Sequence, residues 1–325
     1  MILSMEYLVQ NQTTGVVLLN MGGPERQEDV ELFLINLFSD RHIIRLGPAF
    51  LQKPLARLIA HRRAPHSREM YKKIGGGSPL KAISEAQAAE LEKALRGVGD
   101  YRVRVAMRYW HARAEETLTE LKSFNVTRLI ALPLYPHYSR ATTGSSLADL
   151  RQAKEKILPD IPMTEITAWP DHPGYIAALI ACFQEGLQQC ASDKPSLLYS
   201  AHGLPQAIID AGDPYLDHLR RTIAALEKET GIEGRLCFQS RGGPMRWLTP
   251  ETSGIIDECA RAGEKEVLVM PISFVSDHIE TLYEIGILFA GQAAGHGIRL
   301  IATPLPNTRK DFIACLRDLT LSAQA

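Results

Sequence analysis

The amino-acid sequence predicts an α/β protein made of two similar Rossmann-like lobes, each with a four-stranded parallel sheet flanked by helices. Short aliphatic, β-branched runs alternate with longer stretches of helical periodicity along the chain, a pattern typical of βαβ units around a parallel sheet. The strand-like runs fall into two sets of four that resemble each other. The length of 325 residues is also that of about two ordinary domains.

The predicted strands lie four in each half of the chain. We expect them at residues 15–20, 101–108, 127–134 and 164–169, and then at 196–201, 235–239, 266–273 and 299–303. The turn formers of WPDHPG precede a helix start near residue 170, so we assign 1–170 to the first lobe and 171–325 to the second. We expect the last helix, near 309–322, to pack back on the first lobe.

Two pairs of motifs indicate that the chain is internally duplicated. LLNMGGP resembles LLYSAHGLP, and RLIALPLY resembles EVLVMPIS. The spacing between matched motifs shows that the first half carries roughly 40 extra residues between its first two strands. They fall at about 40–78, and we interpret them as an insertion beside a ligand cleft.

Composition excludes several classes of protein. With 36 basic and 37 acidic residues the net charge is −1, which does not favour a nucleic-acid partner. The longest apolar stretches are too short to span a bilayer, and the N-terminus has no basic leader, so we expect a cytoplasmic protein. The five cysteines are scattered, which argues against a disulfide framework or a cysteine-ligated cluster.

Ionisable side chains follow two strands of the second lobe. His202 comes after the fifth strand, and Asp277, His278, Glu280 and Glu284 come after the seventh. A lone histidine here is more often structural, and the acids alone could be a solvated helix face. Ligands of such folds bind at the carboxyl ends of the strands. A histidine and carboxylates converging there suit a transiently held divalent metal of the Fe²⁺ type.

Rings and small residues follow the other strands and suit a flat aromatic ligand. They stand in the segments 21–24, 108–110, 135–138 and 239–247. The IGGGSP loop lacks the lysine of a phosphate-binding loop, and no G-x-G-x-x-G follows the first strand. Nucleotide binding is therefore disfavoured.

At this level the sequence resembles the ferrochelatase family, enzymes that insert ferrous iron into a porphyrin, over about residues 15–319. Seven motifs in order carry the resemblance: LLNMGGPE at 18–25, YKKIGGGSP at 71–79, MRYW at 107–110, YPHYSRATTGSS at 135–146, SAHGLP at 200–205, QSRGGPMRWL at 239–248 and SDHIETLYE at 276–284.

The resemblance implies a lyase that converts protoporphyrin IX and Fe²⁺ into protohaem with release of two protons, the terminal step of haem synthesis. It implies that His202 and Glu280 are the catalytic pair that engages the metal or the pyrrole protons. His278, Glu284 and Asp277 would lie behind them on a path for protons or metal. The substrate-binding residues it implies are Met21, Arg63, Tyr71, Ser78, Arg108, Tyr109, Tyr135, Ser240, Trp247 and Phe274.

Two positions refine this expectation. Some relatives hold an iron–sulfur cluster through a cysteine where this chain has Arg140, so we expect no cluster and no cofactor beyond the iron substrate. Met21 matches the protoporphyrin-using branch of the family rather than the coproporphyrin-using one. Two alternatives stay open: a cobalt or nickel chelatase for another tetrapyrrole, and a non-catalytic haem-binding protein.

The inserted segment raises a question of location. Apolar residues within 43–51, beside Arg45, Lys53 and Arg57, could touch a membrane surface peripherally or could simply cover the pocket. We expect a monomer, because the chain lacks the tail that supports dimers in longer relatives.

Overall fold

The strands form two fully parallel sheets of four. The computed structural model describes residues 12–324 apart from 193, 194, 241 and 244, and its helices and strands are those of the described residues. In the first sheet the order is β2-β1-β3-β4, with β1 Thr13–Asn20, β2 Asp100–Met107, β3 Arg128–Pro133 and β4 Met163–Glu165. In the second it is β6-β5-β7-β8, with β5 Ser196–His202, β6 Gly234–Gln239, β7 Glu266–Pro271 and β8 Arg299–Ala302. The predicted fold class is confirmed.

Helices connect successive strands and flank both sheets. In chain order they are α1 Val30–Ser39, α2 Gln52–Lys73, α3 Leu80–Ala94, α4 Ala114–Ser123, α5 Ser145–Ile157, α6 Pro173–Leu187, α7 Gln206–Asp210, α8 Tyr215–Thr230, α9 Thr252–Arg261, α10 Ala290–Gly295 and α11 Lys310–Ser322. Two π-helical segments, Arg140–Gly144 and Glu280–Phe289, lead into α5 and α10. No helix of the described residues is both long and apolar enough to cross a bilayer.

Burial on both faces explains why the strands read as continuous apolar runs rather than alternating ones. Val16, Val17, Leu18 and Leu19 of β1 are all buried, although successive side chains point to opposite faces. One face packs under α4 and α5 in a core of the first lobe alone. The other face contributes to a core that continues into the second lobe.

The predicted strand at 164–169 is wrong after residue 165. Strand β4 ends at Glu165, and the chain then turns to follow the loop after β3. The Trp169 backbone N–H donates to the Pro136 carbonyl at 2.9 Å, and its indole N–H donates to the Pro133 carbonyl at 3.0 Å. Trp169 is therefore an anchor for the loop between the lobes, and its buried apolar ring gave a false strand signal.

Strand register relates the two lobes residue by residue. Leu19 of β1 pairs with Pro133 of β3, and Ser200 of β5 pairs with Pro271 of β7. Two residues further along each first strand lie Met21 and His202. These two side chains therefore occupy equivalent positions at the carboxyl ends of the two sheets.

Helix α11 joins the lobes. Its Phe312 is fully buried, with its ring centroid 6.2 Å from that of Trp169. The Arg317 guanidinium donates to the Ala94 carbonyl at the end of α3, at 3.2 Å. The last helix thus contacts the first lobe, while the boundary near residue 170 stays a prediction.

Truncating Phe312 tests whether this helix stabilises the whole chain. We expect Phe312→Ala to lower the free energy of unfolding by about 3–5 kcal/mol, because it removes a buried ring and leaves a cavity. Urea denaturation followed by circular dichroism measures the change. The exposed Lys310→Ala on the same helix should stay within about 0.5 kcal/mol of the parent. Equal effects of the two substitutions would contradict the role given to Phe312.

Candidate active site

A cleft opens between the lobes at the carboxyl ends of both sheets. It consists of two connected cavities of about 700 Å³ and about 1590 Å³, open mouths included. Both are lined by Met21, Leu80, His278 and Glu280, so these four residues mark where the cavities meet. The volume suits a large ligand, and strand ends of the two lobes face it from opposite sides.

His202 lies at the end of β5 and is held from three directions. Its backbone N–H donates to Ser273 Oγ at 3.0 Å, and the Tyr215 hydroxyl donates to its carbonyl at 3.0 Å. Its ring Nδ1 lies 2.8 Å from Glu280 Oε2. The other ring nitrogen, Nε2, has no hydrogen-bond partner among the described residues, and the side chain is 34% exposed. The imidazole is thus oriented by its protein contacts while one edge stays available.

Ser240 connects two carboxylates. Its Oγ lies 2.7 Å from Glu280 Oε2 and 2.6 Å from Glu284 Oε2. One hydroxyl has one proton to donate, so both short contacts can be hydrogen bonds only if one carboxyl group is protonated. Ser240 directly follows β6 and has a φ of 65°, a left-handed conformation that non-glycine residues seldom adopt.

The environments of the two carboxyl groups move their pKa values apart. Burial alone would raise the pKa of Glu280, but the charge and hydrogen bond of His202 lower it to well below the usual value. Burial and then the nearby charge of Glu280 raise the pKa of Glu284. Below a pH of about 7, Glu284 is therefore the group that carries the proton, and in that state it can donate to Ser240, which donates to Glu280.

The imidazole of His202 responds in the opposite sense. Burial lowers its pKa, yet the charge and hydrogen bond of Glu280 outweigh burial, so the pKa is raised overall. His202 and Glu280 thus stabilise each other in their charged forms. A cationic imidazole beside an anionic carboxylate can exchange a proton with a ligand in the cleft.

His278 lies behind Glu280 and is neutral. Burial lowers its pKa, and its Nδ1 donates to the Ser276 carbonyl at 3.1 Å. Its Nε2 then presents a lone pair 3.9 Å from Glu280 Oε1. The ring also lies against Phe274, with centroids 4.4 Å apart, so it supports the wall of the cleft.

The acids lie on a wide helix, the π-helix Glu280–Phe289. Its hydrogen bonds span five residues, so side chains four apart are close to one turn apart and lie nearly above one another. Glu280 and Glu284 can therefore share Ser240. The sequence places both acids on one face, but it predicts a helix start near residue 276, whereas the helix begins after His278.

The structure brings most of the predicted substrate residues to the cleft. Phe274 and Tyr135 line the smaller cavity near His202. The larger cavity is lined by Arg63, Tyr71, Ser78 and Ser240. Arg63, Tyr71 and Ser78 come from or just after α2, so the inserted segment forms one wall of the cleft.

Arg108 and Tyr109 lie away from the cleft walls, which corrects the expectation that they line the pocket. The Arg108 guanidinium donates to Asp40 at 3.0 Å, and the Tyr109 hydroxyl donates to the same carboxylate at 2.7 Å. Ser145 also donates to Asp40. The buried charge of Asp40 draws both side chains to the far side of α1, and neither of them lines the two cavities.

Trp247 and Asp277 also differ from the expectation. Trp247 packs near Gly203, and its indole N–H donates to the Gly242 carbonyl at 3.1 Å, so the ring supports a loop instead of lining either cavity. Asp277 accepts hydrogen bonds from Thr281 at 3.0 Å and from Asn307 at 2.8 Å. It therefore braces the start of the wide helix and does not face the cleft.

Sequence reasoning misses Tyr215 and Ser273, which hold the site, and it finds Gln239 only as the first residue of the segment 239–247. Tyr215 and Ser273 hold the backbone of His202, and the Gln239 side-chain amide donates to the Glu280 carbonyl at 3.2 Å. Ser273 and Gln239 stand at strand ends, the signal that finds the other residues. Tyr215 reaches the site from the first turn of α8, and nothing in the sequence around it predicts that.

No three histidine, cysteine or carboxylate side chains of the described residues are arranged to hold a metal ion together. The described chain instead offers His202 and Glu280 as a pair, beside a cleft. Such a pair leaves metal coordination positions open for another ligand.

Two solved chelatases have the same architecture as this chain. SirB of Bacillus subtilis, determined with Fe³⁺, has a TM-score of 0.61 and 8% identity, with 97% of this chain and 96% of that chain covered. CbiX, the terminal enzyme of sirohaem biosynthesis in denitrifying bacteria, has a TM-score of 0.50 and 14% identity, with coverage of 96% and 100%. The fold is that of two-lobed chelatases.

The chain belongs to the ferrochelatase family, whose model matches residues 13–324. It is 53% identical to the ferrochelatase of Desulfotalea psychrophila over 97% of this chain and 98% of that protein. It is 48% identical to that of Geotalea uraniireducens, with 95% and 97% covered. The ferrochelatase of Thermosynechococcus vestitus is 44% identical, with 96% and 82% covered.

Glu284→Gln tests the shared proton. The pKa of Glu284 rises from 4.5 to about 7 in the native state, so the native protein binds more protons than the unfolded chain between these values. The free energy of unfolding of the parent should therefore fall, relative to that of the variant, as pH rises through this window. Denaturation of both proteins from pH 4 to pH 8 measures the difference. Parallel curves would show that Glu284 holds no such proton.

Proposed function

We propose that this protein is a protoporphyrin ferrochelatase, which inserts Fe²⁺ into protoporphyrin IX and releases two protons at the terminal step of haem synthesis. The contact of 2.8 Å between His202 Nδ1 and Glu280 Oε2, in the cleft of a chain of the ferrochelatase family, carries the proposal. The substrates of this reaction are a porphyrin and iron.

The chemistry requires a base and a route for protons. Metallation replaces two pyrrole N–H protons by one Fe²⁺, so the site must accept two protons while the metal reaches the ring nitrogens. In this proposal His202 first loses its Nε2 proton, and the neutral ring then takes a pyrrole proton at Nε2 or binds the metal there. When the ring takes the proton, Glu280 stabilises the imidazolium that forms. The position of Nδ1 against a carboxylate fixes which nitrogen faces the substrate.

Ser240 and Glu284 provide the next step for protons. From Glu280 a proton can move to the Ser240 hydroxyl, whose Oγ lies 2.7 Å from Glu280 Oε2. The same Oγ lies 2.6 Å from Glu284 Oε2. Because Glu284 has the higher pKa, it is the more stable place for the proton, but it can accept one only after it has released the proton that it already carries. Glu280 can then donate to the Ser240 hydroxyl while that hydroxyl passes its own proton to Glu284. We propose that protons leave the ring along this row, with His278 as the neutral group behind it.

The walls of the cleft suit a macrocycle. We propose that Met21, Phe274 and Tyr135 contact its faces and that Arg63 meets its propionates, with Tyr71 and Ser78 along the same wall. Arg63 is exposed and lies above the Phe38 ring, 5.5 Å from its centroid, where it can form charge-assisted hydrogen bonds. The positions of Arg108, Tyr109 and Trp247 support no direct contact in this conformation.

We further propose that the enzyme uses no iron–sulfur cluster. Its cysteines are free and separated along the described chain. Burial raises the pKa of Cys182 to about 12 and that of Cys237 to about 11, which keeps these thiols protonated and poorly suited to bind metal.

The protein is proposed to be a cytoplasmic monomer that can touch a membrane surface. Within residues 43–51, Ile43, Ile44 and Leu46 pack against the core, which supports a covering role. Phe50 and Leu51 are 77% and 38% exposed, so these two side chains would make any contact of this segment with a membrane.

Haem formation tests the function. Purified protein given Fe²⁺ and protoporphyrin IX without oxygen should produce the absorbance spectrum of haem with multiple turnovers. Sirohydrochlorin with Co²⁺ or Ni²⁺ should give no turnover, since the family favours ferrochelatase over the other chelatases. Activity restricted to sirohydrochlorin, or haem binding with no haem formation, would reject the proposal in favour of one of the two alternatives.

His202→Ala tests the proton acceptor. We expect a loss of turnover of about 10²–10⁴-fold, because the variant lacks the base that faces the ring. Porphyrin affinity, measured by fluorescence quenching, should stay within a few-fold, since the apolar walls provide most of the binding. The matched control is His296→Ala, at an exposed histidine that pairs with Asp257 far from the cleft. Near-normal turnover in His202→Ala would overturn the role.

A further inference from the structure

A second concave site lies on the opposite side of α1 from the cleft. This basic cavity, of about 890 Å³ with its open mouth, is lined by Lys53, Arg57, Arg108 and Arg113, with Asp40 as its one acidic lining residue. Four cationic side chains thus face one carboxylate. The chain as a whole has a net charge of −1, so this concentration of positive charge is local.

Helix α1 separates the basic cavity from the cleft. Phe33 and Phe38 line the cleft, whereas Asn36 and Ser39, on the other face of the helix, line the basic cavity. The basic cavity shares no lining residue with either cavity of the cleft. A macrocycle held beside His202 therefore does not occupy this site.

The carboxylate of Asp40 cannot neutralise the four cations. It already accepts from Arg108 at 3.0 Å and from the Tyr109 hydroxyl at 2.7 Å, and it is buried. Arg108 has a second partner, Asp149, at 3.2 Å. By contrast, no ion pair joins Lys53, Arg57 or Arg113 to an acidic residue within the described chain, although the charge of Arg113 helps to lower the pKa of Glu116.

We propose that the basic cavity binds an anion of the phosphate class. Three unpaired cations around one cavity present more donors than a two-oxygen carboxylate can satisfy, whereas a tetrahedral phosphate can accept from each. Arginine's planar fork also matches phosphate oxygens in pairs. The inference is independent of the chelatase activity.

Two sources of phosphate fit this chemistry. Leu32 lines the basic cavity and is 51% exposed, and Phe50, which does not line it and stands three residues before Lys53 in the chain, is 77% exposed. Apolar groups beside a phosphate site suit the headgroup of an anionic lipid. A free phosphate or phosphomonoester would bind to the same cationic side chains without contacting these apolar groups. The experiment therefore needs one arm for each source.

The test compares two double variants with equal changes in charge. Lys53→Met/Arg57→Gln removes two cations of the basic cavity. Arg96→Gln/Lys122→Met removes two exposed cations elsewhere in the first lobe and is the control. In the first arm the unfolding temperature is followed against inorganic phosphate, with chloride at equal ionic strength. In the second, co-sedimentation with vesicles of phosphatidylglycerol is compared with that of phosphatidylcholine vesicles.

We expect the apparent affinity for phosphate, for phosphatidylglycerol vesicles, or for both to fall about ten-fold in the cavity variant and not in the control. Loss in the first arm identifies free phosphate, and loss in the second alone identifies a lipid headgroup. If both double variants behave like the parent, or lose binding equally, the proposal is overturned. If Lys53→Met/Arg57→Gln has a lower unfolding temperature than the parent in the absence of phosphate, Arg113→Gln is used in its place.

Discussion

The negative charge of Glu280 is the feature on which the rest of the site depends. It is largely buried, and a buried carboxylate is stable only if its neighbours compensate it. His202 supplies a hydrogen bond and positive charge, Ser240 supplies a hydroxyl, and the main chain at Glu280 is held by Gln239. This charge raises the pKa of His202 against the effect of burial, and burial and this charge together raise the pKa of Glu284.

The fold supplies this arrangement by bringing four strand ends and one inserted helix to the same edge. Strand β5 positions His202, the end of β6 positions Ser240, and the chain after β7 leads into the wide helix that carries both acids. The first lobe contributes Met21 and the wall formed by α2. Each element is stabilised by packing remote from the cleft, so the polar groups can be held in a geometry that would be unfavourable on their own.

The sequence predicts two parallel sheets of four strands because the strands are strong, local patterns. The pair His202 and Glu280 is implied by the family resemblance, and both residues stand after such strands. Parallel strands buried on two faces are readable as apolar runs, and side chains just after them must meet at one edge. The side-chain positions that could not be predicted depend on which of several possible hydrogen-bonding partners a side chain contacts in the folded protein. Arg108 and Tyr109 stand after a strand like the others, yet the buried charge of Asp40 attracts them away. Trp169 is apolar and buried, and only the fold shows that it anchors a loop.

The register that aligns Met21 with His202 has a consequence for a planar guest. The two lobes have similar folds but different side chains at equivalent positions: the first lobe has the polarisable thioether of Met21, and the second has the proton-exchanging imidazole of His202. A tetrapyrrole lying between them would contact the unreactive, flexible Met21 side chain on one face and the ionisable His202 and Glu280 side chains on the other. Duplication of one lobe followed by divergence at this pair of equivalent positions would thus make the cleft asymmetric. Proton transfer and metal delivery would then be restricted to the face of the ring that lies against the second lobe.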